Sequence, residues 1–322
     1  MLKFPETGQI DLGGLASQSD EMDREIADAL TGHRSFVAVN LPFEEGTRAR
    51  VERMTSLFDL PEAAKKRMAV RKYAAGNANI YRGYYPFPET RSWSYRENFD
   101  VGPEPVLTCP ECEGKQAFEE ANVWPVESEL PGWREAVLSY MQICRGLGVE
   151  IALAAARGLG RDEKAVREVC AGRNGSLRLL HYAEVPGSFE LDEQPGEGER
   201  LPEDGRRVVA RAHVDTGLIS LLWQDAAGGL QMQGADDVWR EVPPVGDGIS
   251  VHCGTLLERL TGGEIKATPH RVLGGLGERH SIAYFVEPDF STTILPPELE
   301  GEISYADYLC ETFPGRFAAL KA

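Results

Sequence analysis

Positive charge is in short supply in this chain. Its 322 residues carry 34 Lys and Arg against 51 Asp and Glu, a formal net charge of −17. That balance argues against nucleic acid as a partner, because phosphate contacts need clustered cations. Long apolar runs are missing too: none approaches the roughly 20 residues of a membrane span. The start, Met1-Leu2-Lys3-Phe4-Pro5-Glu6, lacks the apolar stretch of a secretory leader. A cytoplasmic protein with no membrane partner is therefore expected. Cysteines number six, and in a chain of this length without an export signal they are expected as reduced thiols. Cys109-Pro110-Glu111-Cys112 is half a zinc knuckle with no second cysteine pair and no histidine at a suitable distance. Cys144 and Cys170 fall in helical stretches and read as packing residues. There is no internal repeat and no low-complexity tail.

What is present suffices for a substantial core, since 42% of the residues are hydrophobic. In the first half the periodicity is helical. Met22, Ile26, Ala29 and Leu30 form one face of a helix over 20–30 that Ser19 or Asp20 caps. Val51, Met54, Leu57 and Phe58 mark a second helix ending near Pro61, and a long third one carries Trp133, Val137, Tyr140, Met141, Cys144, Leu147 and Ile151. A strand over 35–40 lies between the first two. From residue 176 onward, short β-rich runs alternate with turns such as Ala227-Gly228-Gly229 and Gly246-Asp247-Gly248, the pattern of a sandwich or barrel.

Histidine is scarce, six in all, and its placement is informative. In His213-Val214-Asp215 the first and third residues share a face only in an extended chain. The β-branched and apolar segments on either side, Val208-Val209-Ala210 and Leu218-Ile219-Ser220-Leu221-Leu222, favour a strand. His270 opens a further strand, His270-Arg271-Val272-Leu273, directly after Pro269. A lone His-x-Asp is more often an ordinary hydrogen-bonded pair. With His270 added, two imidazoles and a carboxylate can face one ion and leave three octahedral positions open. That arrangement suits non-haem Fe(II) better than structural zinc.

Arg279 and Ser281 form a second constellation. Alternation along His280-Ser281-Ile282-Ala283-Tyr284-Phe285 aims both side chains to one face and His280 to the other. A guanidinium fork with a hydroxyl beside it suits a carboxylate, and Tyr182 could add a phenol.

These residues resemble the isopenicillin N synthase-like iron(II)/2-oxoglutarate oxygenases. The resemblance is carried by Leu177-Arg178 with Tyr182, His213-Val214-Asp215-Thr216-Gly217, Gly229-Leu230-Gln231, Trp239, Thr261-Gly262-Gly263, His270-Arg271-Val272 and Arg279-His280-Ser281-Ile282-Ala283-Tyr284-Phe285. It extends more weakly through Ile10-Asp11-Leu12, Phe58 with Leu60-Pro61, Arg82-Gly83-Tyr84 and Trp124-Pro125. The resemblance implies a mainly β fold with flanking α-helices, a distorted jelly roll or double-stranded β-helix. It implies Fe(II) held by His213, Asp215 and His270, and 2-oxoglutarate whose distal carboxylate meets Arg279 and Ser281 with help from Tyr182. It also implies dioxygen as co-substrate. The chain is expected as a single oxygenase unit: a mostly helical support region over 1–175, the jelly-roll core with the metal site over 176–290, and a C-terminal tail or helix packing on the core over 291–322. Leu180 and His252-Cys253-Gly254-Thr255 depart from the family's usual residues, and neither is expected to touch the ligands.

The expected reaction is oxidation of an unactivated C–H bond of a small molecule, by hydroxylation, desaturation or ring closure, with release of succinate and CO2. The alternative is a 2-oxoglutarate-independent Fe(II) oxidase in which Arg279 and Ser281 grip the substrate's own carboxylate. Charge alone points to a cationic secondary metabolite such as an aminosugar compound. Much of the acid lies over 184–204, which reads either as a lid that recognises amines or as a solvated loop. The aromatic segment over 81–99 is either a wall of the substrate pocket or a loop packed on the barrel. Nothing in the sequence fixes the oligomeric state.

Overall fold

The computed structural model describes residues 8–41, 47–90, 92, 94–108, 116–189, 204–294 and 303–312. The strands of the two main sheets are β1 (Gln9–Asp11), β2 (Ser35–Val39), β3 (Gly83–Tyr85), β4 (Glu97–Val101), β5 (Gly175–Tyr182), β6 (Arg207–His213), β7 (Ile219–Gln224), β8 (Leu230–Gln233), β9 (Trp239–Glu241), β10 (Ile249–Cys253), β11 (His270–Gly274) and β12 (Arg279–Val286), and Thr293–Ile294 pairs with Ile303–Ser304 in a separate ribbon. Eight of them form one sheet in the order β1-β2-β10-β7-β12-β5-β4-β3, and four form a second in the order β6-β11-β8-β9.

Side-chain alternation divides the interior in two. On one face of the large sheet, Leu180 and Tyr182 of β5, Leu222 of β7, Ala283 of β12 and Val37 of β2 meet Val209 of β6, Leu230 and Met232 of β8 and Val272 of β11. Neighbouring residues on the same strands, Leu177, Leu179, Leu221, Trp223, Ile282, Tyr284 and Val286, point the other way into the larger cluster built with the helices. Each fully buried aliphatic or aromatic side chain contributes roughly 1.5–3 kcal/mol. A one-residue slip in any strand would exchange the two sets, so register is strongly specified. The expected mainly β architecture, a double-sheeted jelly roll with flanking helices, is met.

Helices α1 (Asp20–Gly32), α2 (Thr47–Thr55), α3 (Glu62–Arg67) and α4 (Trp133–Gly158) support the outer face of the large sheet. Ser19 caps α1 by accepting from the Met22 amide, and Asp20, Glu21 and Asp23 favour its N-terminal dipole. α4 packs on β7, β12 and α1. By length and composition it could cross a membrane, but 14 of its residues are buried within the protein. Arg145 and Glu150 break the apolar run in sequence, which is why the chain shows no uninterrupted span. The region over 1–175 holds more than the expected helices: β1 to β4 join the large sheet, and β3 and β4 come from the aromatic segment. Over 291–322, the described helix Tyr305–Thr312 buries Tyr305, Ala306, Tyr308 and Leu309 against the core. Cys109, Cys112 and most of the acidic stretch, residues 190–203, lie outside the described residues.

Behind β4 and β5 sits a buried ionic cluster. Glu97, 1% exposed, accepts from Lys65 Nζ at 2.9 Å and pairs with His181 Nδ1 at 2.6 Å, and the Tyr84 hydroxyl donates to it as well. Burial raises the Glu97 carboxyl, but the bonds from His181, Tyr84 and Lys65 together bring it below its usual range. A carboxyl lowered on folding stabilises above its unfolded pKa and loses that contribution as pH falls through the depressed value. Glu97→Gln is therefore expected to cost about 1.5–3 kcal/mol at neutral pH and progressively less under acid conditions. Urea denaturation at a series of pH values measures both.

Candidate metal centre

Antiparallel pairing places His270, the first residue of β11, directly opposite His213, the last of β6. Their ring centroids are 4.2 Å apart. β6 stops at His213, so Asp215 does not continue the strand as expected from sequence. It lies in the connection to β7, where the Thr255 amide holds its carbonyl at 2.9 Å. A Cβ on Gly254 would strike the Gly217 carbonyl, so that close approach requires glycine.

Each imidazole is oriented through its Nδ1, His213 by the Arg211 carbonyl at 2.9 Å and His270 by the Thr268 carbonyl at 3.1 Å. With the proton on Nδ1, both Nε2 lone pairs are free for a metal. Each Nε2 stands 3.9 Å from Asp215 Oδ1, inside the roughly 4.2 Å that two metal–ligand bonds of about 2.1 Å can span. The three donor atoms all lie within 4.8 Å of one another. Burial lowers the His213 imidazole and pushes His270 down to about 3, the latter with help from His213. Burial opposes ionisation of Asp215, yet the imidazoles of His270, His252 and His213 hold it below the usual carboxylate range. Neutral imidazoles with an ionised carboxylate are the protonation states a divalent cation requires.

Arg279, Ser281 and Tyr182 also converge. Arg279 is opposite Tyr182 in the β12–β5 register, and its guanidinium lies 4.8 Å from the phenol ring centroid. It donates to the Gly228 carbonyl at 2.5 Å, to Ser281 Oγ at 2.9 Å and to Gln224 Oε1 at 3.3 Å. All three acceptors are neutral, the side chain is 2% exposed, and among the described residues no carboxylate forms an ion pair with it. A buried cation held by neutral acceptors, with the Asp225 charge acting on it from beyond ion-pair distance, is suited to receive an anion. His280 faces away, stacked on His181 at 4.6 Å, as alternation requires.

Two participants were not anticipated. Arg96 donates to the Tyr182 hydroxyl at 3.2 Å, and its charge acts on both His213 and Arg279, so it faces the space between the two constellations. His252 contradicts the expectation that the departures leave the ligands untouched: its Nε2 is 3.1 Å from Asp215 Oδ2. The sequence carries a weak signal in that His252 is an imidazole in the short, mostly apolar run Ile249-Ser250-Val251-His252-Cys253, though nothing local names Asp215 as its partner.

Residues 175–288 match the family profile described as 2OG-Fe(II) oxygenase superfamily. They form a 2OG-Fe(II) oxygenase domain. This oxygenase domain spans β5 to β12 and contains all six residues of the two constellations. The chain is 26% identical to an isopenicillin N synthase of Flavobacterium sp., over 96% of each chain. It is 25% identical to the 2-oxoglutarate-Fe(II) type oxidoreductase ppzD of Metarhizium rileyi, over 88% of this chain and 80% of that one. Among solved structures, full-length Neurospora crassa T7H in complex with alpha-KG superposes with a TM-score of 0.75 at 25% identity, over 98% of this chain and 99% of that one.

Proposed function

We propose that the chain is an Fe(II)- and 2-oxoglutarate-dependent dioxygenase that oxidises a C–H bond of a small molecule. The observation that carries this reading is the pair of incomplete sites between the sheets: three converging metal donors, and a buried Arg279 matched only to neutral acceptors. His213, Asp215 and His270 would hold the metal, each imidazole kept in register by a backbone carbonyl. Bound there, Fe(II) supplies the redox chemistry by which dioxygen and the keto acid yield succinate, CO2 and an oxidised product. Arg279 and Ser281 receive the distal carboxylate of the keto acid, and Tyr182 shields that end. The protein's own contribution is to position these groups in a largely dry pocket.

The test is anaerobic addition of 2-oxoglutarate to the Fe(II)-loaded protein. A visible metal-to-ligand charge-transfer band is expected, followed by succinate release in air. Similarity to isopenicillin N synthase over nearly the whole chain favours a second reading, in which Arg279 and Ser281 hold the substrate's own carboxylate. A protein that binds iron but develops no band supports that reading instead.

The net charge of −17 supports a cationic secondary metabolite, an aminosugar compound for example. Arg96 beside Tyr182 favours a carboxylate-bearing one. Binding measured for matched amine- and carboxylate-bearing metabolites separates the two arguments.

A further inference from the structure

We propose that His252 is a positioning residue that restricts Asp215 to a single metal-facing oxygen. The inference rests on the metal reading above and concerns how many coordination positions remain free. His252 is on β10, opposite Ser220 of β7 and Ser35 of β2, and is fully buried at 0% exposure. Its Nε2 donates to Asp215 Oδ2 at 3.1 Å, and the Ser220 hydroxyl donates to the same oxygen. The other oxygen, Oδ1, is the one 3.9 Å from Nε2 of both His213 and His270. The carboxylate is thus divided: one oxygen occupied by two protein donors, the other directed at the two free imidazole nitrogens.

The division has a coordination consequence. A carboxylate can bind a cation through one oxygen or two. Three single-atom protein ligands leave three octahedral positions, enough for a two-atom chelate by the keto acid and one molecule of dioxygen. A chelating Asp215 would fill one of them. Two donors on Oδ2 oppose that chelation, and the His252 ring is itself held against His270 with centroids 4.5 Å apart.

An ordinary core histidine would satisfy both ring nitrogens. Among the described residues His252 Nδ1 is buried without a hydrogen-bond partner, and the hydrogen bond the side chain makes there is the one to Asp215. Keeping a half-satisfied imidazole in a fully buried strand costs stability, and a leucine would fill the position without that cost. The arrangement favours the ligand at the expense of the core.

The experiment uses Co(II), whose visible d–d spectrum reports coordination number, titrated anaerobically into the full chain and into His252→Leu, His252→Gln and His252→Asn. Outer partners of metal ligands typically alter affinity by about 10–100-fold. His252→Leu should weaken Co(II) binding by about that factor, change the d–d spectrum, and alter its response to 2-oxoglutarate. Glutamine places an amide donor near the position of Nε2 and should restore affinity and spectrum, whereas the shorter asparagine should not. Equal Co(II) affinity and an unchanged spectrum in His252→Leu would overturn the proposal, as would equal losses in the leucine and glutamine variants. Should His252→Leu fail to fold, the glutamine–asparagine contrast decides the question alone. A wild-type chain that takes up no Co(II) would sink the metal reading itself, a result distinct from either.

Discussion

Replacing Arg279 with leucine should weaken 2-oxoglutarate binding by roughly 30-fold to several-thousand-fold. The range follows from the 2–5 kcal/mol lost when one partner of a buried charge pair is truncated, at about 1.4 kcal/mol per tenfold. The large value is expected because the guanidinium is almost wholly buried and, among the described residues, its hydrogen-bond acceptors are the neutral Gly228 carbonyl, Ser281 and Gln224. None of these acceptors carries a charge, and under the proposed function the keto acid's carboxylate would supply the opposing one. Arg279→Lys should fall between wild type and leucine: the charge survives, but the planar fork that meets two carboxylate oxygens does not. Calorimetric titration of 2-oxoglutarate into the Co(II)-loaded variants measures the effect, and Co(II) affinity serves as the internal control because no metal donor is altered. Unchanged 2-oxoglutarate affinity in Arg279→Leu would remove that residue from the cosubstrate site and shift weight to the oxidase reading.

The residues legible in the sequence share one property: their partners are set by alternation within a strand or by strand ends. Arg279 and Ser281 are two apart on β12, and His270 opens β11, so parity alone gave their direction. Asp215 was legible for a slightly wrong reason. It reaches the imidazoles from the turn after β6, held by the Thr255 amide, rather than from a continued strand. What escaped depends on pairing across the sheet. His252 reaches Asp215 because β10 lies beside β7 in a register that sets His252 opposite Ser220, and no local pattern encodes that neighbour. Arg96 escaped similarly. Arg96 lies just before β4, where no alternation applies, and only pairing of Glu97 with His181 places it beside Tyr182.

The same pairing gives the large sheet two chemical faces. Strands β5 and β12, with the residue that precedes β4, present Tyr182, Arg279, Ser281 and Arg96 to the space between the sheets. Their intervening residues, Glu97, His181 and His280, form the ionic and stacked cluster on the reverse. Substitutions at Glu97 and His181 therefore act on stability and on the backbone beneath the carboxylate site. Their expected effect on 2-oxoglutarate affinity is smaller than that of Arg279, because they touch no ligand.

Asp215→Ala should abolish metal uptake and turnover. An outer partner of a metal ligand is worth about 10–100-fold in affinity, and the only anionic ligand of a divalent cation is worth more than that. The variant removes the sole negative charge among three clustered imidazoles, His213, His252 and His270. It also leaves the donors of His252 and Ser220 without their acceptor, at a cost of about 1–3 kcal/mol to the metal-free protein. Asp215→Asn should fare little better despite its equal size. If its oxygen faces the metal, its amide meets the two donors head-on; if it turns, nitrogen faces the metal. Two measurements separate ligand loss from misfolding. Circular dichroism should show a folded but less stable chain, and added Co(II) should raise the melting temperature of wild type through binding linkage while leaving that of Asp215→Ala unmoved. Succinate formation by Asp215→Ala at the wild-type rate would show that the carboxylate is no ligand, and the division of its two oxygens between His252 and the metal would then have no function.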